Sequence, residues 1–151
     1  GEVEVGSGGP LYWNQLLSAN QEAYVTFTEL GTRASHGLLL KVQGRSPAWY
    51  SGAIRVIYDA RVRRILVQAV QPGRSLRTLR SYNATLSAGD TLSAQAHADG
   101  TVEVFHNWAS LGTTFAGKYF VNRSGYSGVW VFGPTAGDAA FDDFGAGSFT
   151  P

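Results

Sequence analysis

At 151 residues, 44% hydrophobic and 15% charged, the chain has the length of one domain and a globular rather than disordered balance. Twelve Lys+Arg oppose 11 Asp+Glu for a net charge of +1, which argues against a dedicated nucleic-acid binder, although Arg61, Arg63, Arg64, Arg74, Arg77 and Arg80 crowd one region. Without cysteine there are no disulfides, catalytic thiols or thiolate metal sites, and no apolar run approaches the roughly 18 residues of a membrane-spanning helix. No signal peptide is visible, and the lack of methionine with a start at Gly1 points to a piece of a longer protein.

Residues 2–5 alternate charged and apolar side chains, as a short strand with one wet face does. Residues 6–10 (Gly-Ser-Gly-Gly-Pro) read as a turn and 11–13 (Leu-Tyr-Trp) as a second short strand, while 14–21 suit one helical turn or a loop. Residues 22–29 are the cleanest strand: Ala23, Val25 and Phe27 share one face, and Glu22, Tyr24, Thr26 and Thr28 share the other. After a turn at 31–35, residues 36–43 form a strand with Leu38, Leu40 and Val42 inward. Residues 44–52 are a longer loop holding Trp49 and Tyr50. Strands at 53–59 and 64–70 flank a basic turn, and 75–86 reads as strand because its neighbours are strands. Residues 91–97 alternate strictly, with Leu92, Ala94 and Ala96 inward. Asp99-Gly100 suits the positive φ angles of a type I′ hairpin, completed by 101–106. Asn107, Trp108 and Ala109 turn again, and Ser110 begins another strand. Two apolar runs in the tail, 129–132 and 139–144, are joined by Gly133, Pro134, Gly137 and Asp138 and read as a closing hairpin. Roughly ten to twelve short strands and no long helix predict an all-β chain, a single antiparallel β-sandwich of jelly-roll type over residues 1–151.

Several of these stretches resemble a known family. Residues 99–107 (Asp-Gly-Thr-Val-Glu-Val-Phe-His-Asn), Leu111 with Gly112, 127–132 (Ser-Gly-Val-Trp-Val-Phe) and 141–145 (Phe-Asp-Asp-Phe-Gly) are similar to the closing half of laminin-G-like or concanavalin-A-like jelly rolls. Those modules read D-G-x-V-x-V-y-x-N-G-x-x-L-G, then G-G-r-I-G-L-w, then x-x-D-D-F-x-x-G. Residues 20–28 and 38–44 keep the same order, so the resemblance covers most of the chain. It implies a secreted or cell-surface bacterial protein and, as partners, other domains of a parent protein. Two departures stand out. Trp108 follows Asn107 where the family carries Gly, and the family opens with a further strand for which too few residues precede Leu11. Either the module is a trimmed variant, or its first strand lies outside this sequence and a sheet edge is exposed.

Signs of catalysis are weak. Retaining glycosidases place two carboxylates about 5–5.5 Å apart, and glucanases of this fold supply them from a Glu-x-Asp-x-x-Glu string that is absent here. His36, His97 and His106 have no metal-ligand spacing, although His97 and His106 flank the Asp99-Gly100 turn and are expected to face each other as a surface pair. No Gly-x-Ser-x-Gly elbow occurs. The chain therefore reads as a non-enzyme. Asp138, Asp142 and Asp143 are the only acidic cluster and the candidate ligands of a structural calcium, with backbone capping or an arginine partner the better reading for Asp142 and Asp143.

Binding suits the composition better. Aromatic rings stack on the apolar faces of pyranoses while amides and carboxylates bond their hydroxyls. The candidates are Trp49 and Tyr50 in the loop, Trp108 beside Asn107 at the turn, Tyr126, Trp130 facing away from Val129 and Val131, and Trp13. Trp13 and Trp130 are expected in the core or on the floor of a groove, and Trp49 and Trp108 at its rim. The expected function is a non-catalytic carbohydrate-binding module recognising a polysaccharide or glycoconjugate, extracellular or at the cell surface, with no nucleic acid and no membrane insertion. The alternative is a structural or adhesive β-sandwich of an extracellular multidomain protein.

Overall fold

The computed structural model describes residues 3–4, 9–31, 33, 35–44, 51–132 and 139–150. Among them twelve strands succeed one another: β1 (Val3–Glu4), β2 (Gly9–Leu17), β3 (Gln21–Leu30), β4 (Ser35–Val42), β5 (Ala53–Asp59), β6 (Arg64–Val70), β7 (Arg77–Asn83), β8 (Thr91–Ala96), β9 (Thr101–His106), β10 (Ala109–Phe115), β11 (Gly125–Phe132) and β12 (Ala139–Ser148). A 3₁₀ turn spans Lys118–Phe120. The strands form two antiparallel sheets, a front sheet β1-β12-β3-β8-β9-β10 and a back sheet β2-β11-β4-β5-β6-β7. This is the all-β sandwich that period-two patterning predicts.

The core lies between the sheets. Ala23, Val25 and Phe27 of β3 point inward with Leu92, Ala94 and Ala96 of β8 and Val102 and Val104 of β9, and meet Leu38, Leu40, Ile54, Val56, Ile65 and Val67 from the back sheet. Removing such side chains from water is the main driving force, at about 25 cal/mol per Å² of apolar surface. Gly37 lets β4 and β5 approach: a Cβ there would stand 1.9 Å from Val56 O.

The tail is a crossover, not a hairpin. β11 lies between β2 and β4 in the back sheet, whereas β12 lies between β1 and β3 in the front sheet. An apolar run encodes a buried face but not its neighbour, so each tail strand pairs with N-terminal partners instead of with the other. The N-terminal reading changes too, since Gly9 and Pro10 open β2 and the strand continues through Leu17.

Turn geometry is also redistributed. At 97–101, Gly100 N donates to His97 O (3.1 Å), and Gly100 has φ 88° while Asp99 is not among the positive-φ residues. That is a type I turn closed by a glycine bulge, with Asp99 Oδ1 accepting from Thr101 N (2.9 Å). The type I′ geometry falls instead at the β9–β10 turn, with φ 48° at Asn107 and 68° at Trp108.

Strict alternation fails in β4. Lys41 has φ 50°, and the register against β11 slips beside it. Val42 consequently joins Leu39, Ala53 and Val70 in a second apolar cluster, separate from the core between the sheets. Lys41 is buried, its Nζ donating to His97 O (2.6 Å) and Phe120 O (2.8 Å). Burial outweighs the attraction of Asp99 and pushes its pKa down to about 8. Buried Gln21 braces the same corner: its Oε1 accepts from Lys41 N (2.8 Å) and Ser127 Oγ (3.1 Å), and its amide donates to Ser18 O (3.0 Å) and Gly125 O (3.2 Å).

Candidate functional site

The outward side chains of β3 set the axis of the site. Pairing registers align Gly145 of β12, Tyr24, Ser93 of β8, Phe105 of β9 and Ser110 of β10 in one row across the open face of the front sheet. The next row runs Gly147, Glu22, Gln95, Glu103 and Thr113. Paired residues of antiparallel strands project to the same side, so an alternating polar and aromatic pattern becomes a continuous surface.

Trp108 brings the β9–β10 turn to this surface. It is 63% exposed, and its ring centroid lies 5.7 Å from that of Tyr24 at an interplanar angle of 57°. Here Glu22, Tyr24, Ser93, Gln95, Phe105 and Trp108 line a depression of about 230 Å³. The pose of Tyr24 depends on a glycine: a Cβ at Gly145 would meet the tyrosine ring at 2.4 Å. Beyond Tyr24 a second depression of about 320 Å³ passes over Gly145 and Gly147 to Trp13 and Phe144, whose rings meet edge-on at 5.8 Å. Glu22 and Tyr24 line both depressions, which together make a trough with Tyr24 as its ridge.

The polar groups of the face are mostly paired. Gln95 Nε2 donates to Glu22 Oε2 (3.2 Å), Ser110 Oγ donates to Glu103 Oε2 (2.7 Å), and the Thr26 and Thr91 hydroxyls bond at 2.7 Å. Ser93 is an exception, as is Thr28 further along the outward face of β3. Ser93 is only 5% exposed, yet its hydroxyl has no hydrogen-bond partner among the described residues. Leaving such a group unpaired costs about 1–3 kcal/mol.

The turn that carries Trp108 is anchored from β8. Asn107 N donates to Thr91 O (2.8 Å), Asn107 Oδ1 accepts from Thr91 N (2.8 Å), and Asn107 Nδ2 donates to Asp90 Oδ1 (3.1 Å). His106 Nε2 stands 2.9 Å from Asp90 Oδ2. Burial alone would raise the Asp90 carboxyl, but bonds from Ser87 N, His106 and Asn107 and the nearby His106 charge outweigh it and hold the group below its ordinary value. His106 is thus paired with Leu92 in register and with Asp90 through its side chain, not set against His97. His97 meets Phe149 edge-on at 5.3 Å.

No family model matches the sequence, and no curated protein matches it. Solved structures do share its fold. Carbohydrate-binding module CBM66 from Bacillus subtilis superposes with a TM-score of 0.70 at 13% identity, over 97% of this chain and 86% of that one. A protein of unknown function with a galectin-like fold, also from Bacillus subtilis, gives 0.71 at 10% identity, over 97% and 89%. Sheep galectin-11 gives 0.62 at 9% identity, over 94% and 98%. The fold is a galectin-like jelly roll. The laminin-G-like and concanavalin-A-like resemblance holds at the coarser level of that two-sheet sandwich.

Of the aromatic residues singled out in the sequence, Trp108 and Trp13 border the trough and Asn107 holds the turn beneath Trp108. Tyr126 and Trp130 pack instead on the second apolar cluster, in the back sheet, with the Arg55 guanidinium 4.9 Å from the Trp130 ring. Trp49 and Tyr50 lie outside the described residues, as does Asp138. Asp142 Oδ1 accepts from Asp143 N (2.9 Å), where a φ of 51° marks a bulge in β12. Tyr24, Ser93, Gln95 and Phe105 were not evident as site residues. Their one signal is an aromatic and amide pattern on the wet face of otherwise regular strands.

Proposed function

We propose that the trough on the front sheet binds a glycan and leaves it chemically unchanged. Tyr24 and Trp108 offer tilted ring faces to the apolar side of a sugar, and Glu22, Gln95 and Ser93 lie within the same depression to bond its hydroxyls. The observation that carries this reading is the buried, unpartnered Ser93 hydroxyl among aromatic walls. A sugar hydroxyl would restore its missing bond. Trp13 and Phe144 extend the aromatic lining along the trough, so a chain of sugars is better matched than a single one. The carbohydrate-binding module and the galectin among the structural neighbours support the reading through their shared fold. The module then acts outside the cell or at its surface, beside other domains of a parent protein.

The test is a glycan array followed by titration of intrinsic tryptophan fluorescence. Trp108→Ala should weaken binding by about 1–3 kcal/mol, as loss of a stacking ring does, with the melting temperature little changed. Ser93→Ala should also weaken binding while leaving stability equal or higher, because it deletes an unpaired buried hydroxyl. If the array is blank, or if Trp108→Ala lowers the melting temperature with binding intact, the adhesive or structural sandwich becomes the better description.

A further inference from the structure

A separate feature occupies one edge of the back sheet. Residues 60–89 hold six of the chain's twelve Lys+Arg and none of its 11 Asp+Glu. The rest of the chain therefore carries six basic against eleven acidic residues, a net charge of −5, although one of those acids, Asp59, stands opposite Arg64 in the β5–β6 register and accepts from Arg61 N (3.0 Å). Arg61, Arg63 and Arg64 sit at the β5–β6 turn and the start of β6, Arg74 and Arg77 at the β6–β7 turn, and Arg80 midway along β7, the outermost strand. All six are exposed. The ion pair found among the described residues, His106 with Asp90, involves none of them. Arg64 Nη1 donates to Ser81 Oγ (3.3 Å), and the Arg80 guanidinium lies 5.3 Å from the Tyr82 ring.

Charge on an outer strand also discourages edge-to-edge pairing, but that need does not explain the cluster. Of the three strands that end the sheets elsewhere, β2 and β10 carry no charged residue and β1 holds only Glu4. Three of the six arginines, Arg61, Arg63 and Arg74, moreover lie in turns, where no strand pairs.

We infer that this edge binds an anionic polysaccharide, one bearing sulfate or uronate groups along its length. Guanidinium forks match both anions bidentately. Seven residues of β7 at about 3.3 Å each give a strip of about 20 Å, suited to a chain more than to a small anion. Nucleic acid fits less well. Single strands need exposed stacking rings, and the aromatic among these arginines, Tyr82, is half-buried and bonded to Thr114 Oγ1 at 3.2 Å. Duplex readers send a helix or ribbon into a groove, and the strip is a sheet edge. This site lies away from the trough, whose described charged lining is the acidic Glu22.

The experiment follows fluorescence anisotropy of labelled heparin and alginate oligosaccharides, with neutral dextran and single- and double-stranded DNA of equal charge as competitors. Heparin, alginate or both should bind at low salt and dextran should not; binding of heparin alone identifies sulfate, and of alginate alone carboxylate, as the group read. The combined Arg74→Gln, Arg77→Gln and Arg80→Gln variant should lose about tenfold or more in affinity, and the slope of log affinity against log salt should shrink by about one per arginine removed. Arg61→Gln with Arg63→Gln should give an independent loss. Trp108→Ala should leave this binding intact, which separates failure here from failure of the trough. No binding of either polysaccharide at low salt, wild-type binding by both strip variants, or stronger binding of DNA than of the polysaccharides would overturn the inference.

Discussion

Lys41 shows how a single side chain couples shape to proton binding. Its positive φ makes the slip in β4, and its buried ammonium closes that corner on two carbonyls. In the unfolded chain the group titrates at its ordinary 10.5, and in the folded chain at about 8. Between those values the unfolded form holds a proton that the folded form has lost, so the contribution of Lys41 to stability rises as pH climbs from about 8 to about 10.5, and below about 8 the buried charge opposes folding. Chemical denaturation of wild type and Lys41→Met at about pH 7 and about pH 9.5 tests this: the difference should shift in favour of wild type at the higher pH. A flat or opposite trend would mean that the ammonium is not desolvated. Trp108 presents the other kind of local tension. A non-glycine residue at φ 68° carries about 1–3 kcal/mol of strain. The same ring walls the trough, and strain of this sort collects where a site needs a side chain more than the turn needs a glycine.

At the scale of strands, the front sheet depends on what β12 omits. Gly145→Ala would place a methyl against the Tyr24 ring, whose far end is free to swing, so the expected outcome is an intact fold with a displaced ridge. Glycan affinity should fall while the melting temperature hardly moves. Gly37→Ala should behave oppositely, because its methyl would strike the Val56 carbonyl and force β4 from β5. Measuring both melting temperatures checks the contrast, and equal losses would show that Tyr24 is held as rigidly as backbone. Much of this was legible beforehand. β3 and β8 declare themselves through alternation, β5 and β6 as apolar runs flanking a basic turn, and Trp108 through its misfit with a turn. The bulge at Lys41 was hidden because lysine gives no sign of a positive φ. The Tyr24 ridge was hidden because it depends on Gly145, which only the β3–β12 register brings beneath it. The sheet change between β11 and β12 was hidden because valine-rich runs specify burial and leave partners open.

For the molecule as a whole, the larger apolar cluster lies between the sheets, and a smaller one around Leu39, Val42, Ala53 and Val70 lies apart from it. Phe27 is fully buried in the larger cluster, among side chains of both sheets. Phe27→Ala should therefore cost about 3–5 kcal/mol. Tyr24→Ala, from the opposite face of the same strand, should cost clearly less in denaturant unfolding. Equal costs would mean that the trough is part of the core. The two outer surfaces differ in sign as well as in shape, with an aromatic, acidic trough on one sheet and an arginine edge on the other.

The crossover from β11 to β12 has a consequence for how the chain is made. β2 finds its neighbour only in β11, and β3 and β4 each lack one neighbour until β12 and β11 exist. During synthesis both sheets thus stay unfinished until β11 and β12 leave the ribosome, with open edges beside apolar strands until then. Such distant pairings close slowly and are vulnerable to clumping while they wait. A chain halted before Gly125 would have most of its core residues and no way to seal them, and degradation rather than partial activity is its expected fate.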